Sequence, residues 1–324
     1  MLPFPKKQTS VRKRVLQFVP WIVSAGAITY IISTTNFTIV AETLVNLQII
    51  PFVVLIFSSV FANYLIDIFT YRILFNRFYR SISFRDLFLF KGASYVLQVF
   101  HYYLSGTVMA GVVHLRHRFP LAACLSGLVW LAMLDFVALG TWIFVGYCVS
   151  SGTGFDALDK WVIPGTIIIV LGFCLISMLL RGSWSCIEKF RLTDFVFVFR
   201  KVRVADLVIF LFLRLVYLFV SIFMTWFLLP LFDIEIPLRE LILLMPVLMF
   251  VGSIPLAGIA GLGTAQIVMR IMFSPYAPQG DAQIDAYAVT TILALIIARL
   301  AIGLFSMPTV SQEVSRIGRL SRGE

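Results

Sequence analysis

The run "WVIPGTIIIVLGFCLISMLL", residues 161–180, carries no charged side chain. About 20 helical residues rise roughly 30 Å, the thickness of a bilayer's hydrocarbon core. A chain with such runs must satisfy its backbone internally wherever water is absent, which restricts it to helices or closed barrels. Residues 15–41 and 43–66 are comparable runs, while 120–150, 205–229 and 286–307 carry one deep charge each, Asp135, Arg214 and Arg299, with Asp206 at the edge of the second. Hydrophobic residues make up 60% of the sequence, charged ones only 13%, and mean hydropathy is +0.97. A soluble domain cannot hide that much apolar surface. The expected class is an all-α polytopic membrane protein with six spanning helices.

Charge placement sets the expected orientation. Basic residues of the N-tail 1–14, of Arg72–Lys91, of "HLRHR", of 181–203 and of the C-tail 308–324 contrast with acids in the remaining loops. Those acids are Glu42, Asp156, Asp159, Asp233, Glu235, Glu240, Asp281 and Asp285, with only Lys160 and Arg239 as cations beside them. Basic loops stay cytoplasmic, so both termini are expected inside. If 92–115 crossed as one helix, every later loop would have the wrong sign. Segment 87–113 is therefore expected to enter from the cytoplasm and turn back near Ser105, Gly106 and Thr107. Segment 241–275 is expected to do the same from outside, turning within "VGSIPLAGIAGLGTAQIVMR", where Pro255, Gly258, Gly261 and Gly263 crowd together.

The outcome is a single transmembrane domain, 15–307, built as an inverted-topology repeat with two oppositely oriented re-entrant helical hairpins. Repeat 1 covers about 15–150 and repeat 2 about 161–307. In such architectures binding occurs near the midplane, where broken helices of the halves meet. The half-helix starting near Gly263 would present unpaired N–H groups to anions, and Thr264 and Gln266 would satisfy freed polar groups. Close packing of small residues is the simpler alternative for the glycines.

"SIPLAGIAGLGTAQ" resembles the glycine-rich signature of the lysylphosphatidylglycerol synthase transmembrane region, the flippase-like membrane proteins. It shares Gly261, Leu262 and Gly263 and departs at Ile259, Ala260 and Gln266. "YRILFNRFYRSISFRDLFLF" is similar to that family's basic linker, Gly106 aligns in the first hairpin, and Arg299-Leu300 resembles the pair in its last helix. The resemblance implies movement of a lipid or lipid-linked headgroup between leaflets of a bacterial or archaeal plasma (inner) membrane. The sequence stops soon after the last span, so no aminoacyl-transferase domain and no lipid aminoacylation are expected.

Ionisable residues at membrane depth need a partner or a wet cavity. Asp135 pairing with Arg214 or Arg299 would lock the bundle. Alternatively Arg214, Arg270 and Arg299 against Asp135 leave surplus positive charge, which a phosphate would complete. His101 is a candidate lining residue of the first hairpin. Asp67 and Lys91 are expected near the cytoplasmic surface, where snorkelling suffices. No catalytic motif, cofactor fingerprint or metal-ligand spacing is present, and the net charge of +10 beside lipid speaks for anionic membrane lipids, not nucleic acid. The functional expectation is thus a transporter for an anionic lipid headgroup; a non-transporting scaffold or subunit with the same fold, working in a homo-oligomer or with a membrane partner, is the alternative. Reporters attached at Arg116 and Asp281 test the topology. The first should be shielded from the exterior and the second exposed, and the reverse at either position would remove the mirrored halves.

Overall fold

The structure is a computed structural model that describes residues 37–79, 81–98, 102–117, 119–150, 156–181, 193–253 and 264–322. All regular elements among them are helical: α1 (Phe37–Asn46), α2 (Ile49–Phe78), α3 (Phe84–Gln98), α4 (Tyr102–His117), α5 (Leu121–Val149), α6 (Asp156–Arg181), α7 (Phe197–Lys201), α8 (Val204–Leu228), α9 (Leu238–Ser253), α10 (Thr264–Phe273) and α11 (Asp281–Arg322). Four stretches are long and apolar enough to cross a membrane: Ile49–Phe78, Leu121–Val149, Val204–Phe232 and Asp281–Pro308. They turn Val54, Phe57, Phe144, Phe212, Ile297 and similar side chains outward, where only lipid can solvate them without penalty. The chain is an all-α integral membrane protein.

Several boundaries differ from the sequence expectation. The first expected span lies mostly in 1–36, outside the described residues, and α1 runs past its predicted end. Helix α2 continues twelve residues beyond the expected 66, carrying Asp67, Arg72 and Arg77 into the helix instead of a linker. Nothing in 67–78 breaks a helix, and Tyr71, Leu74, Phe75 and Phe78 extend its buried face. Ser105, Gly106 and Thr107 are helical residues of α4 and not a tip, and residues 99–101, between Gln98 and Tyr102, lie outside the described residues. The glycine-rich turn expected around 255–263 also lies outside them. Helix α11 continues through the expected C-tail to Arg322.

Two sets of contacts define the ends of the bundle. At one end the Tyr79 phenol donates to the Ala123 carbonyl, Arg77 pairs with Asp206 at 2.9 Å, and the Val198 amide donates to Ser126 Oγ at 3.0 Å. Burial there raises the Tyr79 pKa above its ordinary value, with Cys124 adding to it, so the phenol stays a donor. These contacts join the end of α2 to the starts of α5 and α8. At the other end the Phe52 and Phe232 rings sit edge-to-face at 5.7 Å, Phe232 meets Tyr287 at 5.3 Å, and the Gln283 amide donates to the Phe232 carbonyl. The start of α2, the end of α8 and the start of α11 therefore meet there. Helices α3 and α4 pack on each other, as do α9 and α10.

The pairs also exchange partners. Helix α3 packs along α11 and helix α9 along α5, while α2 and α8 pack on each other. Both close contacts use glycine. A Cβ on Gly146 of α5 would stand 2.6 Å from the Leu243 backbone of α9, and one on Gly303 of α11 would stand 2.6 Å from Val96 of α3. Replacing Gly146 with Val should destabilise the fold by about 1–3 kcal/mol, because the obstacle is main chain and cannot rotate away. Thermal unfolding in detergent reads this, and an unchanged midpoint would contradict the packing.

Candidate functional site

Four charged side chains from four helices meet inside the bundle. Asp67 of α2 lies between two cations: Arg214 of α8 donates from Nη1 to its Oδ1 at 2.8 Å, and Lys91 Nζ of α3 stands 2.8 Å from its Oδ2. Arg214 Nε also stands 3.1 Å from Asp135 Oδ1 of α5. The Asp67 and Arg214 side chains are each 1% exposed, whereas Asp135 is 23% exposed. That difference separates a sealed carboxylate from an accessible one. Aromatic faces complete the cage: Lys91 Nζ sits 5.1 Å from the Tyr71 ring centre and 5.3 Å from that of Tyr95, and the Arg214 guanidinium lies 5.7 Å from that of Tyr217. Cation–π contact of this kind offsets part of the lost hydration.

Depth follows from helix rise. Asp67 lies about 16 Å from the last residue of α2 and Arg214 about 15 Å from the first of α8, at ~1.5 Å per residue. The other end of α2 lies about 27 Å from Asp67 at the same rise, so the cluster sits inside both helices and nearer the end that carries Arg77.

A cavity of about 140 Å³ opens beside the cluster, lined by Tyr71, Lys91, Ser105, Thr107, Asp135 and Arg214 together with apolar residues of α5. It is smaller than the ~300 Å³ lower range of drug-sized sites. At ~30 Å³ per water it holds a handful of waters, or one compact polar headgroup. Its wall on the α3–α4 side is tied by a hydrogen bond between Ser94 Oγ and Ser105 Oγ, 2.9 Å apart. Gly106 lines the cavity as well, and a Cβ there would meet only Leu128 at 3.5 Å, so space alone does not require glycine.

The structure brings together four of the residues selected from sequence: Arg214, Asp135, Ser105 and Gly106. Arg270 is elsewhere. It lies buried on α10 and grips Asp285 of α11 with Nε at 2.6 Å and with Nη2, fastening the second end of the bundle. Gln266 is buried on the same helix, and Thr264 is its first residue. Arg299 is half-buried on α11, with its field falling on Tyr95 and Tyr217, and it makes no ion pair among the described residues. His101, Gly261 and Gly263 lie outside the described residues.

Two expectations need correction. Asp67 and Lys91 do not snorkel at a surface; both are buried and form the heart of the cluster. The surplus of three arginines over one aspartate also shrinks, because Asp67 answers Arg214 and Asp285 answers Arg270, which leaves Arg299 without an ion pair among the described residues. Asp67 was legible as a lone acid in an apolar helix, but only once that helix is seen to run on to Phe78. No group of three or more His, Cys, Asp or Glu among the described residues is placed to hold a metal ion. No protein-family model matches the chain, and no curated protein matches it.

Removing Arg214 leaves buried Asp67 with Lys91 as its one remaining cation and takes the ion-pair partner from Asp135. Arg214→Ala should cost about 3–5 kcal/mol, the range for breaking one side of a buried ion pair. Asp135→Asn leaves Arg214 on Asp67 and should cost on the order of 1 kcal/mol. Unfolding in detergent checks the ranking; equal losses would show that Asp67 is not the dominant partner.

Proposed function

We propose that this chain is a flippase-like membrane protein that binds the headgroup of an anionic lipid, or of a lipid-linked carrier, in the cavity beside the charged cluster and passes it between leaflets. The observation that carries the reading is the cavity itself, where two cations, one accessible carboxylate and the Ser105 and Thr107 hydroxyls face a headgroup-sized space. Arg and Lys are the natural grips for a phosphate.

The packing supports an inverted repeat. Exchanging α2 with α8, the pair α3–α4 with α9–α10, and α5 with α11 maps most packings among these eight helices onto one another; the contact of α4 with α11 has no counterpart of similar extent between α10 and α5. On this reading each pair is a re-entrant hairpin that departs from and returns to one end of the bundle. The end carrying Arg77, Arg85, Arg200, Lys201 and Arg203 faces the cytoplasm, and the end carrying Asp233, Glu235 and Asp281 faces outside. The likeness of "SIPLAGIAGLGTAQ" and Arg299-Leu300 to the lysylphosphatidylglycerol synthase transmembrane region points the same way.

A second reading has its own observation. Lys91 and Arg214 already have carboxylate partners, as a purely structural lock would require. The chain would then be a membrane scaffold or subunit that keeps the fold without the cycle.

Transbilayer exchange of headgroup-labelled phosphatidylglycerol in liposomes separates the two. Wild-type protein should exceed empty vesicles. Lys91→Gln, tested only on folded, monodisperse protein, should slow exchange about tenfold or more, the worth of one charge-assisted hydrogen bond. The paired variant Arg270→Met with Asp285→Leu should retain exchange, because that bridge lies outside the cavity. Exchange no faster than in empty vesicles would leave the scaffold standing.

A further inference from the structure

The charges around the cavity cancel: Asp67 and Asp135 against Lys91 and Arg214. A monoanionic headgroup entering this space would leave it with a net negative charge, which a low-dielectric interior penalises steeply. Three sources could offset it: a cation that enters with the headgroup, the field of Arg299, which reaches Tyr95 and Tyr217 from outside the cavity wall, or neutralisation of one of the two carboxylates, the only one of the three that acts through a side chain of the cavity wall. Asp67 cannot serve, since it is sealed and holds a cation on each oxygen. Asp135 can. It lines the cavity, is 23% exposed, and touches the cluster through Arg214 Nε alone, while the same guanidinium keeps Asp67 through Nη1.

Helix α8 brings Arg214 to the cavity, α3 brings Lys91, α2 brings Tyr71 with Asp67 behind it, and α4 brings Ser105 and Thr107. Tyr217 of α8 lies against Arg214. Helices α6, α7 and α9 and the 3-10 turn Asp194–Val196 also pack on α5, and among the described residues none of them, Asp194 included, places a charged group in the cavity wall. Arg299 of α11 does not line it, although its field reaches Tyr95 and Tyr217.

We propose that Asp135 is the proton-coupling carboxylate of this site: as a phosphodiester headgroup takes Arg214 Nε, Asp135 releases the guanidinium and binds one proton. The inference rests on the headgroup-binding reading above. The balance is simple. The proton comes from bulk solution as hydronium, whose O–H bond breaks as one O–H bond forms on Asp135, leaving water; no other covalent bond changes, and the proton returns to solution when the headgroup leaves. Anion and proton enter as a neutral pair, so the buried charge stays at zero throughout.

The test uses the full chain in a neutral detergent at weak buffering, with dihexanoyl-phosphatidylglycerol as titrant and a pH indicator in solution. This phosphodiester does not itself titrate near neutral pH. Wild-type protein should take up about one proton per lipid bound, and affinity should fall about tenfold per pH unit as pH rises, the slope for one linked proton. Asp135→Asn should bind without proton uptake and with an affinity independent of pH, and Asp135→Glu should restore the uptake. Binding by the wild type without proton uptake, or binding that requires sodium in its place, would overturn the proton role and leave the lipid site intact. Uptake that persists in Asp135→Asn would do the same. If Asp135→Asn does not fold, the wild-type stoichiometry and Asp135→Glu decide. No binding of the lipid by the wild type would remove the headgroup reading and this inference together.

Discussion

Asp67 is the interaction on which the rest of the bundle depends. A lone carboxylate inside an apolar helix is expensive, and here it is tolerated because two cations from two other helices converge on its two oxygens. The consequence is architectural. Arg214 ties α8 to α2, Lys91 ties α3 to α2, and through Asp135 the same guanidinium ties in α5. In a bilayer there is little hydrophobic drive between helices, so close packing and polar ties must hold them together. Gly146 and Gly303 supply the first and this cluster the second.

The position of the cluster follows from the helices that build it. Helices α2 and α8 are the two long elements that pack on one another, and Asp67 and Arg214 meet where they cross. Helix α3, Phe84–Gln98, carries Lys91 to Asp67, and α4 packs against it and brings Ser105 and Thr107 to the same side of the cavity, joined by the Ser94–Ser105 hydrogen bond. Asp135 and Arg214 are delivered to the cavity by the long helices α5 and α8.

Much of this was legible in the sequence and some was not. Apolar runs of membrane length gave away the class, and Asp135 and Arg214 stood out because each interrupts one. Ser105 and Gly106 were selected for a turn they do not make, yet they reach the cavity because α4 carries them along its helical face. Asp67 and Lys91 were misplaced for one reason: a basic stretch from Arg72 onward looks like a loop, and loops lie at the surface. The helix instead runs on, since Arg72 and Arg77 sit on exposed positions while the buried side stays apolar. Charge density marks a loop only where the helical pattern also ends. Arg270 failed as a site residue for the opposite reason. Its partner Asp285 was counted as a loop acid, whereas it lies in the first turns of α11.

The two aspartates on Arg214 show how a cluster can be both a lock and a site. If both were sealed, a headgroup could enter only by breaking a buried pair, and the energy needed would exceed what a few hydrogen bonds return. If both were open, the helices would lose the tie that holds them in register. One sealed contact and one accessible contact on the same guanidinium avoid both outcomes. Arg214 stays anchored through Nη1 on Asp67 while Nε is shared with Asp135 at the edge of the cavity. On the headgroup-binding proposal the fold would keep its structural tie when the second contact opened, and that contact is the part of the cluster a ligand would have to move.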